Sequence, residues 1–337
     1  MKEKIIKRLG VNRFFNPYEN QSLIGLFDTS ITTMNVGDEI INDSIQKQLS
    51  SIFPLKQFVR APTHDGISSI GIYRINCATK RFICGSNIMN GKMFTSAQWN
   101  VGPIDILRLK RSITVGVGWV DYQNKTSLYS RLAYSSLLSK EAIHSVRDEY
   151  TKRKFEEMGF YNVINTACAT MWTLDEEHCS KIPSTKANNV IFTLTDYRQS
   201  KVEDEYLINT LLLNYNNVYF WVQGAGDIEY FKSLNVDWDK IRIISPQLSS
   251  YDNYLKNTDT DFVGTRLHAG IRSLQHSKRT IIIGVDNRAL EKQKDFNINV
   301  INRNEIRDIL ADVINSKCHM EIKIPTNEIN KWKEQFN

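Results

Sequence analysis

Short apolar runs rich in β-branched residues, recurring between stretches of helical periodicity, constrain this chain more than any other feature. The runs are "LIGLF" (23–27), "RFICG" (81–85), "SITVGVG" (112–118) and "AIHSV" (142–146), then "VIFTLTD" (190–196), "VYFWVQG" (218–224), "KIRIIS" (240–245), "RTIIIGVD" (279–286) and "INVIN" (298–302). Strands alternating with helices predict an α/β protein with parallel sheets. Among the helices, "DEIINDSIQKQLSSIF" sets Ile41, Ile45, Leu49 and Ile52 on one face, with Asp38 placed to cap its start. "RDEYTKRKFEEMG" is closed by Gly159. At 337 residues the chain exceeds what one core normally organises. The economical architecture is two Rossmann-like domains facing a cleft, 1–175 and 190–337, joined by a polar linker over 176–189.

The charge balance narrows the choice of partner. With 43 basic and 37 acidic residues the net charge is +6, weaker than that of a dedicated nucleic-acid binder. It suits an anionic small substrate or a glancing contact with acidic headgroups. No apolar run approaches the roughly 20 residues that cross a bilayer, and the start lacks the pattern of a secretory signal, so a cytoplasmic location is expected. The five cysteines are scattered without CxxC spacing and read as reduced thiols, with no disulfide framework or metal site. One stretch departs from this plainness. Lys2, Lys4, Lys7, Arg8 and Arg13 stand beside Ile5, Ile6, Leu9, Phe14 and Phe15. That pattern has three readings: a helix lying on the inner membrane face, a frayed basic terminus, or a helix packed on its own domain.

In open parallel sheets ligands gather past the carboxyl ends of the strands, and here those ends are polar and glycine-rich one after another. "DFVGTRLHAGIRSLQ" (261–275) is the sharpest case. If "AGIRSLQ" is a helix, Arg266 and His268 stand at its first turn, where backbone N–H groups and the helix dipole favour an anion. Arginine's fork grips carboxylate or phosphate, and histidine can donate a proton. The plain alternative is a loop with a solvated arginine and a hydrogen-bonded histidine. Arg147, past "AIHSV", and Arg288, past "RTIIIGVD", extend the positive set. Arg147 has the second reading of an interface ion pair. Three arginines and a histidine fit a small, doubly anionic ligand. The "GVG" at 116–118 does not complete GxGxxG, and no P-loop is present. His64, beside Asp65 in a loop, is a further site candidate.

In their order along the chain, "NVGDEII", "SVRDEYT", "TLTDY", "FWVQG", "TRLHAGIRSLQ" and "RTIIIGVDNRA" resemble the polysaccharide pyruvyl transferase family. The resemblance implies a GT-B-like fold and transfer of the enolpyruvyl group of phosphoenolpyruvate to a sugar, with release of phosphate and formation of a pyruvate ketal. It also implies that Arg147, Arg266, Leu267 (through its backbone) and His268 hold phosphoenolpyruvate in the second domain's site. His268 is then the acid or phosphate-facing group and Arg266 part of the catalytic clamp, while Arg288 is a supporting charge. Where the family often has D-x-K, this chain reads Asp286-Asn287-Arg288, which keeps the charge but not a proton-donating lysine. Alanine also follows the cysteine of "TACATMW", where the family has proline. The acceptor is a sugar, lipid-linked or nucleotide-linked, expected against the first domain at Asn35, His64, Gly85, Ser86, Asn87 and Trp99. Trp99 offers either a flat face to a sugar ring or a core side chain. No cofactor beyond the co-substrate and no metal are called for. Two rivals remain at this stage: a nucleotide-sugar glycosyltransferase of the same architecture, and a non-catalytic binder of anionic glycans.

Overall fold

The computed structural model describes residues 2–15, 19–96 and 98–337, less the side chains at 287, 288 and 290–292. Two compact units result: Met1–Thr33, Ile41–Ala169 and Pro325–Asn337 form unit 1, and Met34–Ile40 with Thr170–Ile324 form unit 2.

Unit 1 carries strands β1 Asn20–Asp28, β2 Gln57–Pro62, β3 Ala78–Cys84 and β4 Ile113–Val115 in a parallel sheet of order β2-β1-β3-β4. A second parallel pair, β5 His144–Val146 and β6 Val163–Asn165, continues it through a single bridge at Val117–Val146. The helices are α1 Lys2–Leu9, α2 Val36–Ile52 (counted here from Ile41, its first turn belonging to unit 2), α3 Ser69–Asn76, α4 Pro103–Arg108, α5 Leu128–Leu137 and α6 Glu149–Glu157. Ser68, Ser127 and Asp148 each start a helix by accepting the N–H three residues on, as short polar side chains do at N-caps. The last five residues of β1 are all buried, as befits a strand covered on both faces. Expected strand 112–118 stops at Val115 because Gly116 turns to φ +59°. β3 ends in the same way at Gly85 and Ser86, both left-handed. The order places a switch point between β1 and β3, since β2 lies on one side of β1 and every later strand on the other. The core holds Phe27 edge-on to Trp99 at 5.3 Å, with Trp119, Tyr134 and Phe155.

Unit 2 is a six-stranded parallel sheet made of β7 Asn189–Phe192, β8 Asn217–Trp221, β9 Ile241–Ile244, β10 Thr260–Gly264, β11 Thr280–Gly284 and β12 Val300–Asn302, in the order β12-β11-β10-β7-β8-β9. The chain builds outward from β7, then returns to the middle and builds the other way from β10. This is the doubly wound order, and its switch point lies between β7 and β10. Helices α7 Glu176–Ser180, α8 Lys201–Asn214, α9 Asp227–Lys232, α10 Leu248–Asn257, α11 Leu267–Gln275, α12 Asn287–Phe296 and α13 Ile306–Asn315 connect and flank the strands. Phe192, Phe220 and Phe231 stack in the core.

Three expectations are corrected here. The segment read as a linker contains α7, started by Asp175 accepting from His178 N, and counts within unit 2. The closing helix α14, Thr326–Glu334, counts with unit 1, because Trp332 and Phe336 pack on Phe82. Helix α2 starts at Val36, two residues before Asp38. Asn35 Oδ1 accepts from Gly37 N at 3.0 Å, so the cap is Asn35 and Asp38 lies inside the first turn.

Candidate functional site

The exits of β7 and β10 are tied together across the switch point of unit 2. Gly264 packs so closely that a Cβ would sit 2.6 Å from Thr193 N. Thr265 N donates to Thr193 O at 3.1 Å, Arg266 N to Thr193 Oγ1 at 3.2 Å, and the Thr195 and Thr265 hydroxyls meet at 2.8 Å. Arg266 is thereby fixed at the N-cap of α11, with extended backbone. The first N–H groups of a helix have no partner within it, so those of Leu267 and Ala269 are presented at the β10 exit. His268 is itself buried.

The Arg266 guanidinium is buried and largely committed. Nε donates to Leu194 O at 2.7 Å, Nη2 donates to Asp196 Oδ1 at 2.8 Å and also to Asp227 Oδ1, and the Tyr197 ring lies 5.0 Å from its centre. Nη1 alone donates to none of the described residues. Asp227 is fully buried and also accepts from Asp196 N at 3.2 Å, Gly224 N at 2.7 Å and Gln223 N at 3.3 Å. Burial pushes its carboxyl above the usual range, against the pull of Arg266 and the Gly224 N–H. One carboxylate thus ties together the loops after β7, β8 and β10. Gly224 must be glycine here, since a Cβ would lie 2.2 Å from Arg266 Nη2. Asn35, expected against the first domain, belongs to this cluster in unit 2. It pairs with Gly224 and accepts from Gln223 Nε2 at 2.7 Å. Gln223 Oε1 is buried without a hydrogen bond.

In unit 1 the exits of β3, β4 and β5 converge. Arg147 N donates to Val117 O at 3.0 Å, and its side chain lies flat across Gly118, where a Cβ would stand 2.1 Å from Nε and 2.3 Å from Cζ. Nε donates to Asp148 Oδ2 at 3.2 Å while Asp148 Oδ1 caps α6. The side chain is only 4% exposed, yet its two terminal nitrogens donate to none of the described residues. Gly118 N donates to Ser86 O at 2.8 Å, and Gly85 N to Val115 O at 2.9 Å. Arg147, Gly118, Ser86 and Gly85 therefore form one continuous floor. Next to it, Asn87 Oδ1 is buried without a hydrogen bond. A buried acceptor left without a donor costs about 1–3 kcal/mol, which a water molecule or a ligand hydroxyl would relieve.

The remaining candidates fall apart from this floor. His64 is half-buried past the end of β2, with Nδ1 3.2 Å from Gln98 O, and β1 separates it from β3. Trp99 offers no face to a sugar: it is 1% exposed and its ring edge meets Phe27 in the core. Arg288 lies in α12, and its side chain is outside the described residues. Among the described residues no cluster of His, Cys, Asp or Glu could hold a metal ion, and no helix is long and apolar enough to cross a membrane. Sequence reading missed the bonds from Asp196 and Asp227 to Arg266 and the fit of Gly118 under Arg147. Asp196 and Asp227 were visible as polar strand ends; nothing in the spacing said which arginine they would meet.

The sequence profile of the family described as polysaccharide pyruvyl transferase matches residues 35–287. No curated protein is significantly similar in sequence. Among solved structures, the UDP-GlcNAc 2-epimerase of Methanocaldococcus jannaschii, in complex with UDP-GlcNAc and UDP, is similar at a TM-score of 0.51 and 11% identity, over 94% of this chain and 99% of that one. The S. aureus MnaA–UDP structure follows at 0.46 and 9%, over 89% and 92%. The wall teichoic acid polymerase TagF gives 0.43 and 11%, over 99% and 90%. The first likeness shows the fold, an α/β architecture of the GT-B-like kind with parallel sheets.

Proposed function

The chain belongs to the polysaccharide pyruvyl transferase family, and from that premise we propose that it moves the enolpyruvyl group of phosphoenolpyruvate onto a sugar of a surface polysaccharide or its precursor. The observation that carries the residue assignment is Arg147: a nearly buried arginine whose terminal nitrogens meet none of the described residues. Such a side chain is stable in that position when an anion completes it. In this reading Arg147 grips one anionic group of phosphoenolpyruvate. In unit 2 the N–H of Leu267 at the start of α11, with Arg266 Nη1 beside it, is a second group suited to an anion. Arg266 acts mainly as a positioning residue, since Asp196, Asp227 and Leu194 O hold most of its fork.

The chemistry then runs in balance. His268 gives its proton to the methylene carbon, and positive character develops at the central carbon. A sugar hydroxyl adds there, losing its proton to a base, and phosphate departs with the C–O bond electrons. A second hydroxyl adds in its place, its proton passing to the departed phosphate, and closes the ketal. Asn87 Oδ1, lacking a donor, accepts a hydroxyl of the acceptor, with Ser86 and Gly85 as its floor.

The test is thermal stabilisation by phosphoenolpyruvate beside UDP-GlcNAc, for wild type, Arg147→Gln and His268→Gln. Ligand at 100 times its dissociation constant adds about 2.7 kcal/mol. Stabilisation by phosphoenolpyruvate that Arg147→Gln abolishes supports the assignment. Stabilisation by UDP-GlcNAc alone, the ligand of the structurally similar epimerase, moves it to nucleotide-sugar chemistry. Binding that persists in His268→Gln, with phosphate release from a polysaccharide-precursor acceptor also unchanged, removes His268 from the mechanism.

A further inference from the structure

Helix α1 has no buried residue, although it carries three aliphatic side chains. Ile6 is half-buried where the helix lies on α3, and Lys7 sits 5.9 Å over the Tyr73 ring. Ile5 and Leu9, one turn apart on the remaining face, are each more than half exposed. Just beyond, the 3₁₀ turn Asn12–Phe14 and Phe15 leave two phenyl rings at least half exposed. The Lys2 ammonium lies 5.8 Å from the Phe15 ring.

These groups are held firmly in place. Gly10 turns at φ +62°, with no room for a Cβ against Ser69 O and Arg108. Arg108 Nη2 donates to Leu9 O and to Ser69 Oγ, and Arg13 Nη1 ties the turn to Ile106 O and Leu109 O. Asn12 Nδ2 donates to Tyr73 O at 3.0 Å. An isolated helix of this length is marginal in water, so these bonds are what present it. Residues 2–15 carry five basic side chains and one acidic one, and Arg13 alone of the five is turned inward. A rigid apolar row rimmed by lysine and arginine is the pattern of a surface that lies in a headgroup layer.

We propose that the face formed by α1 and the following 3₁₀ turn docks on an anionic phospholipid bilayer. Ile5, Leu9, Phe14 and Phe15 enter the interface, and Lys2, Lys4, Lys7 and Arg8 meet the headgroup phosphates. Charge complementarity selects this occupant over a second copy of the chain, which would bring two like-charged rims together. The inference rests on unit 1 alone and is independent of the pyruvyl-transfer reading.

The experiment is co-sedimentation of the full chain with vesicles of phosphatidylglycerol and phosphatidylcholine, or of phosphatidylcholine alone, at low and high salt. The variants are Ile5→Glu with Leu9→Glu, and Lys4→Gln with Arg8→Gln. All four side chains are exposed, so melting temperatures should match wild type. The expected result is binding to anionic vesicles that weakens with salt. It should fall roughly 30-fold on removal of two charges and vanish in the glutamate variant. No sedimentation with anionic vesicles, equal binding to neutral ones, or unchanged binding by both variants overturns the proposal. So does a dimer in sedimentation velocity that the glutamate variant splits, since the face would then belong to a second copy.

Discussion

Gly118→Ala isolates the role of Arg147 without touching the arginine. The backbone at Gly118 is not left-handed, so alanine costs no conformational strain there. Its Cβ would, however, stand 2.1 Å from Arg147 Nε and 2.3 Å from Cζ. Ordinary carbon contacts lie at about 3.5 Å, so the guanidinium must shift by roughly 1 Å or more. The atoms that give way belong to the far end of a flexible side chain, and the fold should tolerate the change. The bond from Nε to Asp148, at 3.2 Å, is lost, and the terminal nitrogens leave the geometry that would grip an anion. Two charge-assisted hydrogen bonds at about 1.5–3 kcal/mol each, partly recovered by water, leave a loss of about 3 kcal/mol. That is roughly 150-fold in affinity for phosphoenolpyruvate. Isothermal titration beside a thermal melt measures both quantities. Gly116→Ala is the contrasting variant: at φ +59°, with Ala169 N 3.1 Å from its Cβ, it should destabilise the fold outright. Unchanged phosphoenolpyruvate affinity in Gly118→Ala, with a melt like wild type, would refute the reasoning.

Three further outcomes follow from individual side chains. Burial lowers the His144 imidazole to about 4, opposed by its bond to Ser139 O. A depressed histidine stabilises the fold above its unfolded value and loses that contribution as pH falls from about 6.5 towards 4, up to about 3 kcal/mol. Denaturant titrations across that window should therefore slope less in His144→Gln; equal slopes would contradict the assignment. Arg266→Ala should cost about 3–5 kcal/mol because it strands the buried Asp227 carboxylate. A calorimetric melt within about 1 kcal/mol of wild type would show that the pair is not what holds the loops. Trp99→Ala should lose about 3–5 kcal/mol of stability as a core cavity. Its remaining folded fraction should bind acceptor as before, whereas selective loss of acceptor binding would restore Trp99 to the sugar site.

Much of the architecture was legible because strand and helix periodicities are local properties. Every expected run contains a strand, and the helices over 38–53 and 147–159 form with small shifts at their ends. The strands left unread are instructive. β2, "QFVRAP", alternates weakly and ends in proline; it is held by its register against β1, a pairing 34 residues away at Leu23 and Gln57. The segment over 176–189 reads as a linker because its polar residues also serve to start and solvate the short helix α7. Asp38 was misplaced as a cap because Asn35, three residues earlier, could not be credited with holding both Gly37 N and Gln223. Arg147 in unit 1, and Arg266 and His268 in unit 2, were visible as basic residues following strands. Their environments were not, since burial and pairing depend on residues far away in sequence.

The sequence by itself determined where charge, glycine and strand ends occur, and the family pattern they compose, because these are properties of composition and of short periodic spacing. Only the tertiary structure decided which arginine is satisfied and which is not. Arg266 meets Asp227, 39 residues away, and Asp196, 70 residues away. Among the described residues the Arg147 guanidinium bonds to the aspartate next to it alone, over a glycine that leaves it room. Two guanidinium groups of equal intrinsic charge thereby differ: one is an anchor between loops, and the other keeps its terminal nitrogens clear of the described residues. The difference lies in the acceptors that folding brings to each.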